Sequence, residues 1–206
     1  MKLIDLMTQY TKNPLGLEDS HPVFSWRWEV DEGEISRFQS AWRIQAAGSL
    51  EALERGEADA WDSGKVPGER PFGMRYGGRR PESRERIYWR VMAWDDCGQQ
   101  TDWSEAAWFE MGLLEETDWE ARWIGRHKEE DATPLFRKSF HVKEGEIKKA
   151  RLYGCGLGLA DVFLNGEKTD RDYYEPWDSD YRKTAYYKTW NLDGKLCPGE
   201  NVLGFW

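Results

Sequence analysis

The stretch from Asp170 to Asp180 gathers the side chains best equipped for chemistry. Asp170, Asp172, Glu175, Asp178 and Asp180 are interleaved there with Tyr173, Tyr174 and Trp177. Alternating carboxylates can supply oxygen ligands to Ca²⁺. The EF-hand pattern fails, however. Counted from Asp178, its glycine position is Lys183, and counted from Asp170 it is Glu175. A solvated, turn-forming loop is the reading favoured over a metal site. No cofactor is expected, Ca²⁺ being a candidate without a complete motif.

Trp177 follows Pro176 outside any period-two strand. A ring flanked by acids and hydroxyls suits stacking on the apolar face of a sugar, with a few placed polar groups fixing orientation. On that reading Trp177, Glu175 and Asp178 are substrate contacts and Asn165 an outlying fourth. The competing reading is a loop ring tucked over a sandwich edge, because a buried ring stabilises more than an exposed one. Asn165 already has a role as the first residue of a hairpin turn.

Other constellations carry less. Gly154-Cys155-Gly156-Leu157-Gly158 lacks the glycine spacing and following helix of a phosphate loop, so strand-end flexibility is the simpler account. His21, His127 and His141 are isolated from one another and from cysteine, which argues against zinc. His141 alternates with Ser139 and Arg137 and is expected to face solvent. Cys97, Cys155 and Cys197 are odd in number and widely spaced, so neither a disulfide framework nor a catalytic thiol is written here.

The elements that must position these residues read as strands. Thirteen tryptophans fall mostly at alternating positions, and large rings at period two mean strands with one face in a core. Phe24, Trp26, Trp28 and Val30 share a face against Ser25, Arg27 and Glu29. Trp42, Ile44 and Ala46 repeat the pattern, as do Ile87, Trp89, Val91 and Ala93. Turns are signalled at Asp31-Glu32-Gly33, Asp62-Ser63-Gly64, Gly77-Gly78 and Asp95 to Gly98. Ser49 is placed to cap one short helical turn. Ala107 to Met111 closes a first sandwich.

Leu113 to Trp119 then breaks the alternation. Further strands are predicted over 135–142, 149–153, 161–164, 184–190 and 201–206, with Asn165-Gly166 as a hairpin. The resulting expectation is an all-β chain of two tandem β-sandwiches, 1–112 and 124–206, joined by 113–123. The chain stops within the apolar run Val202 to Trp206. An uncapped edge of that kind suggests the front end of a longer protein and a second sandwich cut short.

The formal charge of −9 opposes nucleic-acid binding, which needs a basic patch. No basic amphipathic segment or apolar span points to a membrane, and Met1 to Tyr10 is too polar for a secretory signal. A soluble, reducing, cytoplasmic setting is expected.

Several segments together resemble the N-terminal region of bacterial α-L-rhamnosidases. Asn13 to Leu17 with Pro22 to Trp26 looks like the opening. Trp61 to Val66, Tyr88 to Val91 and Trp103 to Glu105 look like its fibronectin-III-like domain. Asp118-Trp119 and Ala121 to Gly125 are similar to the junction. Ala150 to Tyr153, Leu164 to Gly166, Pro176 to Lys183 and Pro198 to Gly204 look like the accessory jelly-roll or galactose-binding-like sandwich that follows.

The resemblance covers nearly the whole chain. It implies an enzyme removing terminal α-L-rhamnose by inverting hydrolysis, with two carboxylates in an (α/α)6 barrel. That barrel would lie after Trp206, so no acid here inherits a catalytic role. The expected partners are that barrel, in the same polypeptide, and rhamnose-containing glycans. A stand-alone carbohydrate-binding or adhesion module, and a protein-interaction sandwich, remain as alternatives.

Overall fold

A computed structural model describes residues 1–30, 38–125 and 134–206. The turn expected at Asp31-Glu32-Gly33 and the isolated His127 lie outside those residues. The chain divides into two compact units, Met1–Trp119 and Glu120–Trp206.

The first unit contains β1 (Lys2–Thr8), β2 (Val23–Glu29), β3 (Gln39–Ala47), α1 (Leu50–Glu54), β4 (Trp61–Asp62), β5 (Val66–Pro67), β6 (Phe72–Arg75), β7 (Arg86–Asp95) and β8 (Ala107–Glu110). One sheet runs β1-β2-β6. The other runs β4-β3-β7-β8, with β5 also on β3. All the pairings are antiparallel. The alternation in β7 buries Ile87, Trp89, Val91 and Ala93 completely. Phe24 of the opposite sheet stacks on Trp89 with ring centroids 4.2 Å apart. The sandwich is therefore closed by aromatic contact between its two sheets.

Buried rings still need hydrogen-bond partners for their polar edges. Trp89 Nε1 donates to Thr8 Oγ1 at 3.1 Å, and Trp26 Nε1 to Gln39 Oε1 at 3.0 Å. Gln39 in turn donates to the carbonyls of Gly68 and Arg70. Ser49 caps α1 by accepting from Ala52 N.

Three half-buried tryptophans of the first unit lie under cations rather than in the core. Lys65 lies over Trp94, Arg90 over Trp103 and Arg86 over Trp108, at 4.3, 4.5 and 3.9 Å from the ring centroids. Cations thus cover rings on the outer side of the larger sheet. Gly77-Gly78 does more than turn the chain. A Cβ at Gly78 would stand 2.2 Å from Ala60 O and 2.6 Å from Trp61 Cβ, so the close approach itself demands glycine.

β1 carries no clean sequence signal, and the structure gives the reason. Asp5 has φ 51°, and the β1–β2 register slips between Ile4 and Met7. A bulge of this kind moves side chains off strict alternation.

The second unit contains β9 (Phe136–Val142), β10 (Arg151–Cys155), β11 (Val162–Leu164), β12 (Glu167–Lys168), β13 (Tyr187–Asn191) and β14 (Gly199–Phe205). Four strands form β12-β11-β14-β9, and β10 pairs with β13. Val162 and Leu164 from the first sheet and Trp190 from the second are buried together, with Leu152, Leu203 and Phe205 packed against them. This is the second β-sandwich of an all-β chain.

Asn165 (φ 53°) and Gly166 (φ 88°) turn β11 into β12, as that dipeptide requires. Gly154 is buried because a Cβ there would meet the Trp190 ring at 2.9 Å. Packing, rather than flexibility, fixes it. The strand predicted from Thr184 begins at Tyr187, since Asp180 O accepts from Lys183 N and Thr184 N and holds that stretch in a turn.

Candidate functional site

The acidic run is built around a residue far from it in sequence. Lys188, on β13, lies on the same side of its strand as buried Trp190, the alternation placing it inward. Its Nζ is 2.9 Å from Asp170 Oδ2 and 2.6 Å from Asp172 Oδ2, and it also pairs with Glu175 Oε2. Burial would depress this ammonium, but the hydrogen bonds it donates to Asp172, Glu175 and Asp170 win and raise it above the lysine range. Burial is the largest single influence on Asp170 and pushes it up, but the Lys188 hydrogen bond and charge, the Asp172 backbone N–H and a Trp190 hydrogen bond together outweigh it and leave the carboxyl below its ordinary value. The three carboxylates converge on an ammonium rather than on an open coordination position. Lys168 Nζ bonds the Asp172 carbonyl at 2.8 Å and pairs with Asp161 at 2.7 Å.

The rest of the run turns outward. Tyr181 donates to Asp178 Oδ1 at 2.8 Å, a bond that raises the phenol above its usual range. Asp180 pairs with Arg182 and Lys183. Trp177 is 73% exposed, although Pro176 before it is buried. The tucked-ring alternative is therefore not the arrangement found. Glu175 and Asp178 stand either side of this ring in the chain, each already bonded to a protein partner. Asn165 belongs elsewhere. Its Nδ2 donates to Asn201 Oδ1 and its Oδ1 accepts from Val202 N, at 2.9 and 2.8 Å. Its amide serves the β11–β14 pairing.

The remaining candidates are explained locally. Cys155 donates to Tyr186 O at 3.1 Å, and burial pushes its thiol up, away from nucleophilic character. Asp95, Asp96 and Cys97 have ligand atoms within 4.8 Å of one another, but Asp95 Oδ1 accepts from Cys97 N and Gln99 N and so shapes a turn. His141 is exposed on β9. A groove of about 470 Å³ in the first unit, lined by Trp42, Gly68, Arg70, Phe72 and Met74, holds none of the residues nominated from sequence. Lys188 was missed because a lysine eight residues past the acidic run has no local signal. Only the inward phase of β13 gives it away.

The arrangement to set beside known proteins is therefore two antiparallel β-sandwich units, the second carrying an exposed aromatic loop. Residues 3–115 match the family described as Rha78A-like, N-terminal immunoglobulin domain, and residues 145–206 match the α-L-rhamnosidase N-terminal domain. The chain belongs to the first of these families and is similar to the N-terminal region of α-L-rhamnosidases.

Among curated relatives, an α-L-rhamnosidase of Formosa agariphila is 36% identical over 93% of this chain and 22% of its own length. Among solved structures, the α-L-rhamnosidase from Dictyoglumus thermophilum superposes with TM-score 0.90 at 32% identity, over 100% of this chain and 25% of that one. The enzyme from Aspergillus terreus gives TM-score 0.77 at 25% identity, over 99% and 23%. The chain thus spans about a fifth to a quarter of the relatives it matches.

Proposed function

We propose that this chain is the non-catalytic N-terminal part of a glycoside hydrolase that removes terminal α-L-rhamnose by inverting hydrolysis. Its two sandwiches would scaffold a catalytic barrel in the same polypeptide, where one carboxylic acid protonates the leaving oxygen and one carboxylate activates water. The similarity that carries this reading extends over the whole chain yet takes up only a quarter of a rhamnosidase. The three free cysteines support a reducing, cytoplasmic setting. The test is hydrolysis of 4-nitrophenyl α-L-rhamnopyranoside. The full polypeptide should release nitrophenol and residues 1–206 should not. Turnover by residues 1–206 alone overturns the proposal, as does an inactive full polypeptide.

A second reading is direct glycan contact by a stand-alone carbohydrate-binding or adhesion module, with Trp177 as platform beside Glu175 and Asp178. The exposure of Trp177 favours it. Asn165 enters it weakly, since its amide is held by Asn201 and Val202. Titration with L-rhamnose, followed by tryptophan fluorescence, should saturate in the native chain and be abolished in Trp177→Ala. An unchanged response in that variant removes the idea.

A further inference from the structure

The exposed ring of Trp177 is part of a wider apolar surface within the second unit. Leu157, Leu159, Tyr174, Trp177 and Tyr186 are each more than half exposed. They lie on two loops, 156–160 and 173–186, which are stitched together at several points. Ala160 N donates to Glu175 O at 2.8 Å, and Cys155 Sγ donates to Tyr186 O. The Gly158 backbone bonds the Tyr181 hydroxyl, and Pro176 Cδ packs 3.7 Å from the Cβ position of Gly156. The second loop is further pinned by Lys188 through Glu175. These rings and leucines are therefore held out on a braced frame. Exposed apolar side chains gathered on two loops that are hydrogen-bonded to each other mark a candidate interaction site.

The polar chemistry around them decides between occupants. A sugar needs unspent carboxylates or amides to bind its hydroxyls beside the aromatic platform. Here Glu175 is engaged by Lys188, Asp178 by Tyr181 and Asp180 by Arg182. Two leucines and several rings with satisfied polar neighbours instead match the centre of a protein–protein contact, where aromatic residues are enriched and free charge is depleted. The relatives supply the candidate partner, because this chain accounts for only 22% of their length.

We infer that the surface formed by Leu157, Leu159, Tyr174, Trp177 and Tyr186 is where a downstream domain of the same polypeptide docks. This rests on the proposed function above, in that it takes the chain to be part of a longer rhamnosidase-like protein.

Hydroxyl-radical footprinting of the full polypeptide tests the inference. Rates are expressed as protection relative to the free amino-acid amides. Trp177 and Tyr186 should be clearly more protected than Tyr10, as expected for side chains at an interface centre. Tyr10, 75% exposed in the first unit, is the internal reference. Equal protection of all three overturns docking. Protection that arises only on adding L-rhamnose also overturns it, in favour of a glycan. Rhamnoside hydrolysis, measured on the same preparation, reports separately on the proposed function. An inactive polypeptide with Trp177 protected would sink that function and keep the docking surface, and an active one with Trp177 reactive would do the reverse.

Discussion

Lys188 Nζ lies 2.9 Å from Asp170 Oδ2, joining β13 to the start of the acidic run. The same ammonium meets Asp172 and Glu175, so one cation organises three carboxylates that would otherwise repel one another. Lys188→Met keeps much of the packing and removes the charge. Leaving partly buried carboxylates unpaired should cost about 1–3 kcal/mol, at the low end for a site that water reaches. Two units can melt in two transitions, and the loss should fall on that of the second. Calorimetry on the variant checks it. The deficit should shrink as pH falls and Asp170 takes up a proton, and an unshifted second transition would show that the carboxylates do not depend on this lysine.

Acid sensitivity follows from two aspartates. The Arg43 guanidinium is the main cause holding Asp62 well below the carboxylate range, with Gln45 and Gly64 N also bonding it against the opposing effect of burial. Asp170 is lowered too, against the larger opposing effect of burial, by Lys188 acting with the Asp172 backbone N–H and Trp190. Unfolded aspartate titrates near pH 3.9. A folded value below that means the unfolded chain takes up protons first as pH falls. Stability contributed by these groups is therefore complete above about pH 5 and declines as pH drops through the folded values. Asp62→Asn should lose about 1 kcal/mol at pH 7, a small figure because the carboxylate is partly exposed. Its melting temperature should meet that of the native chain at low pH. Parallel curves down to pH 2 would contradict the assignment.

The tryptophans divide into two kinds that respond oppositely to truncation. Trp89 is fully buried and stacked on Phe24. Trp89→Ala should cost about 3–5 kcal/mol, read as a lowered urea midpoint of the first unit. Trp177→Ala removes an exposed ring and should change stability by less than about 0.5 kcal/mol. A large loss in the latter would mean the ring is packed after all.

How much of this was legible beforehand depends on where the signal lives. The cores of β2, β3 and β7 are written as period-two apolar residues, and Phe24, Ile44, Ile87 and Val91 all fall where the alternation puts them. The Asn165-Gly166 turn and the Ser49 cap are local chemistry and were equally readable. β1 was not, because the Asp5 bulge breaks its phase. Exposed Trp177 could be nominated but not placed, since a loop ring has no periodicity to say which side it faces. Lys188 and the cation-covered Trp94, Trp103 and Trp108 depend on contacts between distant strands. Composition shows that the charges exist, but only the register brings them together.

Asn201 places a buried amide at the centre of a hydrogen-bond cluster in the second sandwich. It is fully buried on β14. Its Oδ1 accepts from Cys197 N at 3.0 Å and from Asn165 Nδ2 at 2.9 Å, and its Nδ2 donates to Cys197 O and Gly199 O. Asn201→Ala removes a fully buried amide and leaves part-buried groups without their partner, which should cost about 1–3 kcal/mol. Asn201→Asp keeps the acceptor but sets a negative charge against two carbonyls. It should be at least as damaging at pH 7 and partly recover once the acid is protonated. Asn165→Ala loses bonds at an exposed turn, where water can replace them, and should cost about 1 kcal/mol. Urea unfolding of the three variants gives the order. Should Asn165→Ala prove the costliest, the hairpin rather than the buried amide would be what holds β11 to β14.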